Sequence, residues 1–377
     1  MAVEREFSGA ESLSASVAGR LGAALRIDWP LFMGLVVLAA LGLFVLYSAN
    51  GESMASLQRQ LLRMGLAFSV LLVVAQISPT FLRSWSFALY LGGLGMLIAV
   101  LLVGDVGKGA QRWLDLGVIR FQPSELMKIV VPMMVARYVC DTHSPPSIQR
   151  VLVAVLMIFV PVMLIVKQPD LGTALLVLTA GMAVLFLAGI PWRLVLGGLV
   201  AAAVAAPVLW HNMHAYQRQR VMTFLNPEAD PLGSGYHIIQ SKIAIGSGGL
   251  FGKGWLNGTQ SHLDFLPERH TDFIFAVFGE EFGLLGGLGL LAVYAFIVLR
   301  GFYVTAYSDD HYGRLLAGAM TVSFLIYLFV NIGMVTGLLP VVGVPLPMVS
   351  YGGTSMVTMM AGFGIVMSVY SHRRTLS

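Results

Sequence analysis

The chain has 377 residues, 57% of them hydrophobic and 11% charged, against roughly 45–50% and about 25% in soluble proteins, which excludes a single soluble domain. Its 23 Lys+Arg against 19 Asp+Glu leave a net charge of +4, too weak a bias for a nucleic-acid partner. The single cysteine, Cys140, excludes an internal disulfide and a cysteine-based metal framework.

Residues 1–28 carry Glu4, Arg5, Glu6, Glu11, Arg20, Arg26 and Asp28 without an apolar run of signal-peptide type. They read as an uncleaved, solvated cytoplasmic tail, with the first span as signal anchor. Apolar runs long enough to cross a bilayer follow at about 31–49, 57–76, 84–104, 123–140, 150–167, 171–189, 193–210, 272–299, 314–339 and 345–370. The expected fold is an all-α polytopic membrane protein: ten transmembrane helices in one domain over 29–371, then a cytoplasmic tail at 372–377. An even number of spans puts both termini on one side. Arg5, Arg20, Arg26, Arg83, Arg137, Arg150, Arg193, Arg300, Arg314, Arg373 and Arg374 fall on that side, which the positive-inside rule makes cytoplasmic.

Two outer segments are too polar to span: 105–122, and a large extracytoplasmic loop at 211–271 between spans seven and eight. They hold Lys108, Arg112, Arg120, Arg218, Arg220, Lys242, Lys253 and Arg269. Long loops translocate regardless of charge, so this excess calls for a separate reason. One is an anionic partner; the other is headgroup contact by amphipathic segments at 213–225 and 236–245. Glycines 246, 248, 249, 252, 254 and 258 read as a turn-rich loop, and the spacing around Lys253 is not that of a phosphate-cradling Walker loop.

Ionisable groups in or beside spans are costly and are therefore candidates for function. Arg112 stands in Lys108-Gly-Ala-Gln-Arg-Trp113; Pro123 suits the first turn of span four, with Glu125 and Lys128 three apart on one helix face. That pair either neutralises itself or orients a substrate or a neighbouring carboxylate. Asp170, in Gln168-Pro-Asp170, is a candidate helix cap or functional acid. Gln217, Arg218 and Arg220 follow span seven, and paired arginines suit a diphosphate or anchor a helix at the interface. Asp272 opens span eight, where it either caps the helix or, partly desolvated by aromatic neighbours, serves as a general base. Asn331 reads as an interhelical hydrogen bond, and the prolines and glycines around Ser350 as a broken helix start. Five of eight histidines fall in 211–271 without metal-ligand spacing, so no metal site is assigned.

The motifs KGAQRWLDLG, IRFQPSELMK, QPDLGT, YQRQRV, GYHIIQSKIAIGSGG, LPERHTDFIFA and VPLPMVSYGG, in order from about residue 30 to 372, resemble those of the SEDS family of bacterial shape, elongation, division and sporulation proteins. Gln111, where division-type members more often carry a second arginine, points to the elongation branch. The resemblance implies a ten-span peptidoglycan glycosyltransferase of the inner membrane that polymerises lipid II. It implies work beside a class B penicillin-binding transpeptidase and other elongation-complex membrane proteins. The family's essential aspartate falls on Asp272. Its sensitive polar positions fall on Arg112, Glu125, Lys128, Asp170, Gln217, Arg218 and Ser350, and also on Arg59. No cofactor is indicated, and assistance by a divalent cation is left open. The competing readings are a lipid II flippase, which needs a polar path to both faces, and a non-catalytic scaffold for the transpeptidase.

Lipid II is a disaccharide-peptide on undecaprenyl diphosphate. An inverting transfer is expected, in which Asp272 deprotonates the acceptor 4-hydroxyl while Arg112, Arg218 and Arg220 stabilise the departing diphosphate. Glu125 and Lys128 are expected to position Asp272 or the acceptor.

Overall fold

The computed structural model describes residues 26–372 except 108–109, 116–119, 142–144, 214, 228–233, 263–264 and 267. The expected tails at 1–25 and 373–377, and Lys108, lie outside the described residues. In chain order the helices are α1 Trp29–Ala49, α2 Met54–Gln76, α3 Pro79–Val103, α4 Pro123–Cys140, α5 Ile148–Lys167, α6 Leu171–Leu187 and α7 Trp192–Asn212. They continue as α8 Ala215–Leu225, α9 Ser234–Ser247, α10 Thr259–His262, α11 Ile274–Ala306, α12 His311–Val335 and α13 Thr354–Ser371.

Polar residues punctuate the apolar runs and start the helices. Asp28 accepts from the Leu31 amide at 2.9 Å with Pro30 in the first turn, and Ser53, Ser78 and Asp310 cap α2, α3 and α12 in the same way. Seven described helices are long and apolar enough to cross a bilayer: α1, α2, α3, α5, α11, α12 and α13. The protein is thus a multi-pass helical membrane protein. Shorter apolar helices occupy the sixth and seventh expected spans. Span four is α4, whose Glu125 and Lys128 are buried as it packs against α3, α5, α6 and α12, while Arg137 is half-buried and donates to the Arg83 and Ser84 carbonyls. Of the seven, α12 is the most enclosed and α2 the least.

The all-α expectation needs one correction. Segment 105–122 contains a small antiparallel sheet, β1 Asp105–Gly107, β2 Ala110–Asp115 and β3 Arg120–Phe121. Val106 pairs with Gln111, and Leu114 with Phe121. A segment too polar for lipid must still satisfy its backbone, and strand pairing does so with little apolar signal in the sequence. The amphipathic segments expected in the 211–271 loop are α8 and α9, and α9 packs on α11 and α12.

The eighth apolar run is not one continuous helix. It breaks at Gly283, whose φ of 63° and ψ of −162° interrupt α11. The glycine-rich segment supplies the missing partners: the amides of Lys253 and Gly254 donate to the carbonyls of Glu280 and Glu281 at 3.0 Å, and those of Leu284 and Leu285 donate to Gly249 and Leu250. Irregular backbone at membrane depth is stable only when its polar groups are met in this way. The approach requires Gly252, at φ 79°, where a Cβ would lie 2.1 Å from the Glu281 carbonyl oxygen. A Gly252→Val protein is expected to lose at least about 2 kcal/mol from left-handed strain and overpacking. Its apparent melting temperature in detergent, measured beside wild type, checks this.

Candidate active site

Asp272 stands in a turn over 268–273 ahead of α11. The helix cap falls on Phe273 and has no side-chain capping bond, so the capping role is not taken by the residue at that position. The turn is clamped from three directions. Asn331 of α12 donates to the Asp272 carbonyl at 2.9 Å and to the Val344 carbonyl at 2.7 Å. The Ser350 hydroxyl donates to the Thr271 carbonyl and accepts from the Leu346 amide at 2.8 Å. The Tyr351 amide donates to the His270 carbonyl at 2.8 Å. Asn331, Ser350 and the 344–349 backbone are buried, because α13 begins only at Thr354 and the proline-rich segment before it packs inward. Two non-glycine residues bordering this region, Glu268 at φ 52° and Met348 at φ 62°, hold left-handed backbone, a strain that persists where surrounding contacts over-determine the conformation.

Two cavities meet at this turn. One, of about 190 Å³, is lined by Thr223, His237, Ile238, Glu268, Asp272, Phe273 and Val341. The other, of about 320 Å³, is lined by Glu268, Thr271, Asp272, Pro345, Tyr351 and the 352–355 segment. Asp272 and Glu268 line both. On the first side His237 stacks on Phe273, with centroids 5.6 Å apart. Among the described residues no group of three His, Cys, Asp or Glu side chains is placed to hold a metal ion.

The other residues singled out by sequence form separate clusters. Glu125 and Lys128 are both buried and paired at 2.6 Å, and the Lys128 ammonium also bonds the Tyr327 hydroxyl of α12. The pair therefore neutralises itself and grips α12; Tyr327 lies one turn before Asn331, so the pair reaches Asp272 only through that helix. Arg112 donates to the Pro169 carbonyl and lies 3.8 Å from Asp170, which also accepts from Gln122 at 2.9 Å and caps α6 through the Thr173 amide at 3.2 Å. This knot ties the small sheet to the α5–α6 turn. Arg218 donates to the Trp210 and His211 carbonyls at the end of α7, where the last turn leaves carbonyls without intrahelical partners. Both arginines are thus held by protein groups, while Arg112 Nε keeps no hydrogen-bond partner. Gln217 is buried on α8; the Arg220 side chain lies outside the described residues. Arg59 is exposed and bonds Ser56 of its own helix at 3.1 Å.

Sequence reasoning missed the parts played by Glu268, His237, Gln122 and Tyr327. Glu268 sat within a quoted motif, four residues before Asp272. Tyr327 and Asn331, four apart in an apolar run, share a helix face, a pattern that sequence alone could have linked. Asn331→Leu is expected to strand two buried carbonyls and cost about 1–3 kcal/mol. Loss of turnover with little change in substrate KM would mark it as a residue that holds Asp272 in place; unchanged turnover would make it purely structural.

Residues 24–375 match the family model described as cell cycle protein, which groups FtsW, RodA and SpoVE. The chain is 51% identical over 354 residues to the peptidoglycan glycosyltransferase MrdB of Escherichia coli K12, covering 94% of this chain and 96% of that one. A solved chain described under structural coordination of polymerization and crosslinking by a peptidoglycan synthase complex superposes with a TM-score of 0.81 at 32% identity, covering 93% of this chain and 99% of that one. The crystal structure of the rod shape determining protein RodA of Thermus thermophilus matches with a TM-score of 0.70 at 30% identity, over 93% of this chain and 98% of that one. By the match over residues 24–375 and the identity to MrdB, this chain belongs to the FtsW/RodA/SpoVE family of cell cycle proteins and is of the RodA type.

Proposed function

We propose that the chain is a peptidoglycan glycosyltransferase that polymerises lipid II during cell-wall elongation, with Asp272 as the general base. The observation that carries this reading is that Asp272 lines two cavities, on a turn clamped by Asn331, Ser350 and Tyr351. A polymerase needs two sugar-bearing substrates to meet at one base, and a pre-set turn supplies that geometry without rearrangement. Asp272 takes the proton of the acceptor 4-hydroxyl as that oxygen attacks C1 of the donor sugar. The C1–O bond to the diphosphate breaks, C1 inverts, and undecaprenyl diphosphate leaves with the bonding pair.

The chain spans the inner membrane ten times with both termini cytoplasmic, and the 211–271 loop lies on the outer face with α8 and α9 at the interface. Support comes from the distribution of arginines among the short connections. A class B penicillin-binding transpeptidase is the expected partner, with other elongation-complex membrane proteins around it. The similarity to a chain of a peptidoglycan synthase complex supports this assignment. Labelled lipid II given to the purified protein with its transpeptidase, wild type beside Asp272→Asn, tests the reading. Polymer from wild type alone is the expected outcome, and equal yields would reject Asp272 as the base.

A further inference from the structure

The larger cavity is lined by Glu268 and Asp272, and none of the described residues in its lining is Lys or Arg, so a diphosphate entering it gains from a cation at the wall. Arg112 and Arg218 are committed elsewhere, to Asp170 and Pro169 and to the carbonyls ending α7. Arg63, on α2, is not. Its guanidinium carbon lies 4.6 Å from the centroid of the Tyr351 ring, and its Cδ and Nε lie 3.5 Å and 3.7 Å from where a side chain at Gly353 would begin. Tyr351 and Gly353 are both walls of the larger cavity. The other edge of this array is the Asp272 turn itself, since His270 meets the Tyr351 ring edge-on at 5.9 Å. Among the described residues the Arg63 guanidinium makes no hydrogen bond or ion pair. Stacking on an aromatic face orients a guanidinium while leaving its in-plane N–H groups available for two-point bonds to phosphate oxygens.

We propose that Arg63, held against Tyr351, is the anion-binding side chain of the larger cavity, which makes this cavity the donor subsite and the His237 side the acceptor subsite. The proposal rests on the glycosyltransferase reading. The donor is the substrate whose diphosphate departs, so negative charge develops at its subsite during transfer, and a cation there acts on turnover as well as on binding. The acceptor keeps its diphosphate and needs only its hydroxyl at Asp272.

The test uses the full chain in phosphatidylcholine nanodiscs with labelled lipid II, and undecaprenyl diphosphate as a competing product. Arg63→Gln is expected to raise the inhibition constant of undecaprenyl diphosphate about tenfold, the loss of one two-point charged contact. Arg63→Lys, which keeps the charge and loses the fork, is expected to fall between it and wild type and carries the measurement should the Gln protein unfold. The same ratios are expected when phosphatidylglycerol is added to the nanodiscs. An inhibition constant unchanged in both variants overturns the proposal. So does a loss confined to phosphatidylglycerol membranes, which would make Arg63 a holder of bulk lipid headgroups. Failure of the underlying reading is seen separately, as an Asp272→Asn protein that polymerises like wild type.

Discussion

An Asp272→Asn protein is expected to polymerise lipid II roughly 10²–10⁴-fold more slowly than wild type. The amide has the shape of the carboxylate and cannot accept a proton, so the chemical step is removed and the volume is kept. The backbone clamp on the turn should be kept. The clamp on the turn runs through the Asp272 carbonyl and through the backbone of Thr271 and His270, held by Asn331, Ser350 and Tyr351, and none of these contacts uses the Asp272 side chain. Glu268→Gln is the necessary comparison because Glu268 borders the same two cavities. If Glu268→Gln were the more damaging of the two, Glu268 rather than Asp272 would be the base. A larger loss for Asp272→Asn upholds the assignment, and binding of undecaprenyl diphosphate by the inactive protein would show that the site is otherwise intact.

Lys128→Met is expected to destabilise the protein by about 3–5 kcal/mol, because it leaves Glu125 buried without its counter-charge. The pair is 2.6 Å apart with side chains 7% and 9% exposed, and one Glu125 oxygen already has no hydrogen-bond partner. Replacing both members avoids the isolated charge. A Glu125→Gln, Lys128→Met protein should therefore recover most of the loss, read as apparent melting temperature in one detergent. Activity of the double variant separates two roles. Recovery of stability without recovery of turnover would mean that Lys128 acts on the site through Tyr327 and the α12 face that carries Asn331; recovery of both would make the pair a structural lock. A single variant as stable as wild type would contradict the burial of the pair.

Much of the architecture was legible because lipid imposes a strong rule: apolar runs of about 20 residues become helices. Pro123 in a first turn, the self-pairing of Glu125 with Lys128, the capping by Asp170 and the two amphipathic segments after α7 all follow from local chemistry. The small sheet did not show, since its strands pair within a polar segment that carries no apolar period. The break at Gly283 was equally hidden. Nothing in the eighth apolar run signals that a glycine loop thirty residues earlier in the chain supplies its hydrogen bonds.

The site divides along the same line. Residue type and position singled out Asp272 as either a helix cap or a base, because a carboxylate at the start of a span is costly enough to require a reason; the family resemblance chose between them. Charge counting singled out Arg112 and Arg218 but not their protein partners, Asp170 and Pro169 for the one and the end of α7 for the other. Partners of that kind come from residues tens of positions away, and no spacing rule reports them.

By itself the sequence determined that this is a helical membrane protein with charged segments between its apolar runs and an acid at the start of the eighth. Those properties depend on transfer energies and helical periodicity, which act within about 20 consecutive residues. Only the tertiary structure decided that Arg63 lies over Tyr351, that Asn331 and Ser350 hold the turn of that acid, and that it lines two cavities. Each of these is a pairing between distant segments, and their free energies depend on the bundle that brings the partners within hydrogen-bond distance.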